Sequence, residues 1–186
     1  MRTIREQTKT NPQLLDIPIE QLKAGLKKNI TWLDQCFGRA WKITRQVGNK
    51  KYTEPCIYTG VGNEYESLVP SADLGNYSFF VLSDPTNLED EFVEARCSLI
   101  VWADLRRCFD GDANRRDTEV LKEDLLRGLK QDIYVKGAWF IVDRVYEEAK
   151  NVFNGFTLDE NDNQFMMQPY CGFRVDGTLR ILIPTC

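Results

Sequence analysis

Cys97-Ser98-Leu99-Ile100-Val101-Trp102-Ala103-Asp104-Leu105 is the stretch on which the fold turns. Read with a period of two, Cys97, Leu99, Val101 and Ala103 line one face and Ile100 and Trp102 the other. A strand with apolar side chains on both faces must be covered on both, which places it centrally in a sheet. Before it, Tyr52 to Thr59 reads as a strand that Pro55 demotes to an edge or a bulge. Gly60-Val61-Gly62-Asn63 is a turn into a second strand, Glu64 to Val69. Pro70 to Asn76 is a loop, Tyr77 to Leu82 a third strand, and Ser83 to Glu94 an acidic loop.

After the central strand, Asp110 to Arg116 is a charged loop. Asp117 or Thr118 can cap a helix whose Leu121, Leu125 and Leu129 share one face. Ala138 to Val142 is an apolar segment, a strand or the run-in to a helix carrying Val145, Tyr146, Ala149, Val152 and Phe153. Asn154-Gly155 ends that helix. A polar loop from Thr157 to Gln164 leads to a last strand region, Pro169 to Ile183, with Gly177 as a candidate bulge.

At the other end, residues 1–16 read as a loosely packed arm. Pro18 suits a first helical turn. Leu22, Leu26, Ile30, Leu33, Phe37 and Trp41 follow at steps of three and four, predicting one helix to Ile43 or Arg45. The sum is a single α+β domain over 1–186, a mixed or antiparallel sheet of about five strands with three helices packed on it.

Charge divides along the chain. Residues 1–52 hold 11 Lys and Arg against 4 acids, whereas the remainder holds 13 against 24. Lys27, Lys28, Arg39 and Lys42 lie off the apolar stripe of the predicted first helix, and with Trp32 they form the candidate interface. A basic end on an acidic body suits a phosphate backbone or head-to-tail contact between copies.

Several chemistries are disfavoured. The chain has no histidine, which removes Ser-His-Asp and Cys-His catalysis and His-ligated metals. Six cysteines at 36, 56, 97, 108, 171 and 186 include no Cys-x-x-Cys pair, so free thiols are expected rather than a zinc site. Asp110-x-Asp112-x-Asn114 and Asp159-x-Asn161-x-Asn163 begin like calcium loops. Arg115 and Gln164 stand where glycine is needed, and Leu121 and Tyr170 where glutamate is. Gly60-x-Gly62 lacks the third glycine of a dinucleotide loop. Glu89, Asp90, Glu91 and Glu94 read as a solvated acidic loop, and Asp143, Glu147 and Glu148 as the wet face of a helix. No catalytic residue, cofactor or metal is expected. No apolar run approaches the ~20 residues of a membrane span, and the first residues carry no apolar segment of the signal type, so a cytoplasmic protein is expected.

Four stretches carry a resemblance. They are Ile30-Thr31-Trp32-Leu33-Asp34-Gln35-Cys36-Phe37-Gly38-Arg39-Ala40, Leu74-Gly75-Asn76-Tyr77-Ser78-Phe79-Phe80, the central strand, and Asp162-Asn163-Gln164-Phe165-Met166-Met167-Gln168-Pro169-Tyr170-Cys171-Gly172-Phe173-Arg174. Together they resemble prophage-type proteins of Bacteroidetes over nearly the whole chain. The order of elements is similar to phage tail-terminator and tail-completion proteins, α+β subunits that close into rings. The resemblance implies a non-catalytic virion assembly protein whose partners are phage tail or head-tail proteins and further copies of itself. It also implies residence in a bacterial host cytoplasm or in a virion. The alternatives are a nucleic-acid-associated protein using Lys27, Lys28, Trp32, Arg39 and Lys42, and a carboxylate-dependent hydrolase.

Overall fold

The two apolar faces of the central stretch are both covered. In the computed structural model, which describes residues 1–7, 9–60, 62, 64–88, 91–109, 117–131, 138–159 and 164–182, it forms most of β6 (Phe92–Asp104). This strand pairs antiparallel with β5 (Tyr77–Leu88) on one side and β8 (Tyr170–Leu182) on the other. β1 (Gln35–Arg39) joins β5 in parallel and β7 (Ala138–Tyr146) joins β8 antiparallel, giving the order β1-β5-β6-β8-β7. The fold is therefore α+β with a mixed five-stranded sheet. Residues 83–88 and 92–94 of the acidic segment expected as a loop are instead in strands β5 and β6, with Thr86 opposite Ala95 and Leu88 opposite Val93.

Alternation along β6 decides what covers each face. Leu99 and Val101 face α1 (Asp16–Asn29) and α3 (Thr118–Gln131), meeting Ile19, Leu22, Leu26, Leu121, Leu125 and Leu129 in one core. Ile100 and Trp102 face a second core with Tyr77, Phe79, Phe37, Ile57 and Leu68. A second sheet of β2 (Trp41–Val47), β3 (Lys50–Tyr58) and β4 (Tyr65–Ser67) meets that core through Ile57 of β3 and Leu68 just after β4, and Val152 and Phe153 at α4 (Ala149–Val152) join it. Trp102 is fully buried, stacks on Tyr77 and Tyr170, and its Nε1 donates to the Phe165 carbonyl at 2.6 Å. Each such buried apolar side chain contributes roughly 1.5–3 kcal/mol. No described helix is long and apolar enough to cross a membrane.

Three further expectations are corrected. The first helix stops at Asn29, because Ile30 turns to extended backbone (φ −113°, ψ 96°), and the chain continues into β1 and β2. The apolar spacing persists beyond Ile30 because Leu33 and Phe37 are also buried, in two different cores. The helix expected through Val145 and Tyr146 is the end of β7, and only Ala149–Val152 is helical. The N-terminal segment is not a loose arm over its first seven residues. Ile4 is buried, and its N–H donates to Gln35 Oε1 (3.0 Å). The Gln35 amide in turn donates to the Arg2 and Leu74 carbonyls. A buried side-chain amide must be satisfied, and this strap satisfies it.

Candidate interaction surface

The strap fixes where the chain leaves the body. Glu6 accepts from the Gly38 N–H (3.1 and 3.0 Å) and from Lys23 Nζ (3.1 Å). Burial raises the Glu6 pKa, against the pull of Lys23. A Cβ on Gly38 would stand 2.8 Å from Glu6 Oε1, so glycine is what lets this carboxylate reach the β1 backbone. From there Arg39 lays its guanidinium 4.2 Å over the Trp41 ring, and β2 begins.

The five residues expected on one helix face are divided between layers. Lys27 and Lys28 are exposed at the end of α1, on the helical side of the large sheet. Trp32 is half-buried against the helix-side core, and its carbonyl accepts from Asn76 Nδ2 at 2.8 Å. Arg39 is half-buried at the end of β1. Lys42 lies on β2, in the other layer, with Nζ 5.6 Å from the Phe156 ring centre. Because the helix ends at Asn29, these residues do not share one helix face.

What does form is a basic ribbon. β2 and β3 pair from Trp41↔Cys56 to Val47↔Lys50, joined by Gly48-Asn49. Gly48 has φ +60° while Asn49 does not take a positive φ, the pattern of a II′ hairpin with glycine first. Every residue from Thr44 to Lys51 is exposed, so both faces of the ribbon are open to solvent. Lys42, Arg45, Lys50 and Lys51 lie on it against Glu54. The Thr44 and Thr53 hydroxyls are 3.0 Å apart across the pair. Sequence reasoning missed Lys50 and Lys51 and put Arg45 on a helix. The available signal was Val47-Gly48-Asn49-Lys50, a two-residue turn flanked by threonines.

β7 is the outer strand of the large sheet and exposes Trp139 (39%), Ile141 (53%) and Val142 (37%). Beside it lies a shallow saddle of about 760 Å³ between β6, β8 and β7. Both of its acids, Asp143 and Asp176, are engaged, against three arginines, Arg96, Arg144 and Arg174. Arg96 pairs with Asp143, and Asp176 accepts from Ser98 Oγ (2.6 Å) and Arg174 Nε (2.7 Å). Arg174 also donates to the Asn154 carbonyl at 2.9 Å.

The thiols are free at Cys36, Cys56, Cys97, Cys108 and Cys171, while Cys186 lies outside the described residues. Burial pushes Cys97 and Cys108 up to about 12, and it raises Cys171, Cys36 and Cys56 as well. Each is held as the thiol near neutral pH, the poorly nucleophilic form. Among the described residues no three His, Cys, Asp or Glu side chains gather as a metal set. Glu94 is spent on Arg180, and Glu147 on Lys122. Glu89, Asp90, Asp110, Asp112, Asn114, Asn161 and Asn163 lie outside the described residues.

No protein-family model matches the chain. None of the curated proteins matches it in sequence either.

Proposed function

We propose that the chain is a non-catalytic virion assembly protein of the tail-terminator or tail-completion kind, working through contacts between subunits and with phage tail or head-tail proteins. The observation that carries this reading is the ribbon of β2 and β3. A two-stranded ribbon open on both faces gains little from its own body. Residues held that way in an otherwise well-packed fold are explained by contacts made outside the chain. The resemblance to prophage-type proteins supplies the kind of assembly. The two acids of the saddle, Asp143 and Asp176, are both held by arginines, which favours this reading over a carboxylate-dependent hydrolase.

The test is salt-dependent association. At high protein concentration and low salt, light scattering is expected to give closed oligomers that dissociate as salt rises, since exposed charges set orientation and register more than affinity. Lys42→Glu with Arg45→Glu and Lys51→Glu is expected to abolish association. Stability should change by no more than about 0.5 kcal/mol per exposed site. A wild type that stays monomeric to millimolar concentration and binds no tail protein leaves the reading without support. Micromolar binding of duplex DNA at physiological salt, lost in the same triple variant, puts a nucleic-acid-associated function in its place.

A further inference from the structure

We propose that copies of this chain join by strand addition, the outer edge of β2 in one copy pairing with the outer edge of β7 in the next. The proposal rests on the assembly reading above and gives that assembly its contact. The large sheet ends at β1 and β7, and the small sheet at β2 and β4. The outer side of β1 is engaged by Glu6 at Gly38, and β4 is three residues long. That leaves two long edges, seven residues at β2 and nine at β7, whose outer main-chain groups bond to no other described segment. Free edges of this length are normally blunted by proline, by a covering segment or by several charges. Neither strand contains proline. β7 has one irregularity, between Val142 and Arg144, and β2 has none.

The outward groups of β2 can be assigned. Pro55, which has no N–H, stands opposite Lys42, and Thr53, opposite Thr44, exchanges main-chain and hydroxyl bonds with Thr157 on the far side of β3. Bonds between β2 and β3 therefore run through Trp41, Ile43, Arg45 and Val47, and Lys42, Thr44 and Gln46 present N–H and C=O outward. Side chains agree with the pairing. Trp41 (41%) and Val47 (66%) are exposed on one edge, as Trp139 and Ile141 are on the other. Pairing β2 with β2 gathers four cations, Lys42 and Arg45 of each copy, along one seam whose strands carry no acid, which like-charge repulsion opposes. Unequal edges make a head-to-tail contact, the kind that generates rings or filaments.

Complementation decides it. Thr44→Pro removes an outward donor of β2 without removing a ribbon hydrogen bond, and Gln46→Pro does the same if the first variant folds poorly. Ile141→Lys with Val142→Lys blocks β7. Each variant alone is expected to stay monomeric at concentrations where the wild type is assembled, with circular dichroism and melting confirming the fold. Mixed one to one, they are expected to form a heterodimer and stop, since each retains the edge the other lacks. If the β2-blocked variant dimerises alone, β7 pairs with itself and the proposal is overturned. If the wild type assembles and both variants assemble equally well, the edges are not the contact, although the assembly reading stands. A wild type that never associates removes both.

Discussion

β6 and β2 are opposite solutions to being a strand. From Ser98 to Asp104 every β6 residue is buried, whereas β2 buries none of its seven. β6 is held by strands on both sides and a core on each face, so its residues answer to packing. β2 is held by one neighbour and by a glycine turn, so packing constrains its side chains little. The difference separates residues that packing fixes from residues that packing leaves free. It also predicts where substitutions are felt.

The largest effect is expected at Trp102. Trp102→Ala empties a fully buried site, removes stacking on Tyr77 and Tyr170, and leaves the Phe165 carbonyl without its donor. A loss of about 3–5 kcal/mol follows from large-to-small substitution in a core. Urea unfolding should show the midpoint falling with the slope unchanged. A loss under about 1 kcal/mol would mean that the second core does not hold the two sheets together, and the contrast with β2 would lapse.

A smaller loss is expected one strand away. At Gly177 an added Cβ would run into the Ile141 main-chain oxygen and stand 2.8 Å from the Phe140 ring. The obstruction is backbone, which cannot swing aside as a side-chain tip can. Gly177→Ala should cost about 1–3 kcal/mol, the usual range for overpacking. Hydrogen exchange should rise first in β7, whose irregularity lies opposite this glycine. Unchanged β7 protection would show that the β7–β8 pairing is looser than the register implies.

How legible all this is from sequence follows the same division. β6, α3 and β8 were readable because their apolar periods report burial directly: Leu121, Leu125 and Leu129 are all buried on one helix face. The first helix was over-extended because burial alone does not reveal which element delivers it. Leu33 and Phe37 fall in step with Leu22, Leu26 and Ile30, yet they face different cores after the chain has turned. The ribbon was illegible to hydrophobic periodicity because it has no buried face to be periodic. Its record in the sequence is turn chemistry, Gly48-Asn49, and that was outweighed by the helical spacing before it. The candidate surface is divided between elements for the same reason: Lys27 and Lys42 share a charge but not a layer. Gly177 in a run of alternating apolar residues signals a bulge, and the structure places the irregularity on the strand opposite.

The smallest effect, and the sharpest test of the comparison, is expected at Gly48. Nothing lies within 4 Å of where its Cβ would stand, so Gly48→Ala meets no obstruction and loses no contact. Its cost comes from φ +60° alone, roughly 1–2 kcal/mol for an L-residue held in that region. At Gly177 the same substitution is opposed by atoms, and at Gly48 by backbone preference. Since Thr44 to Lys51 are all exposed, that strain can be relieved by opening the ribbon tip while the body stays folded. Amide exchange at Val47 and Lys50 should therefore quicken about 5- to 30-fold, the ratio that one or two kcal/mol supports. Exchange in β6 and the global melting temperature should hardly move. Association should weaken, because the ribbon would spend more time away from the conformation that a neighbour meets. Equal acceleration in β6 would show ribbon and body opening as one unit, and β2 would then belong to the fold as fully as β6 does.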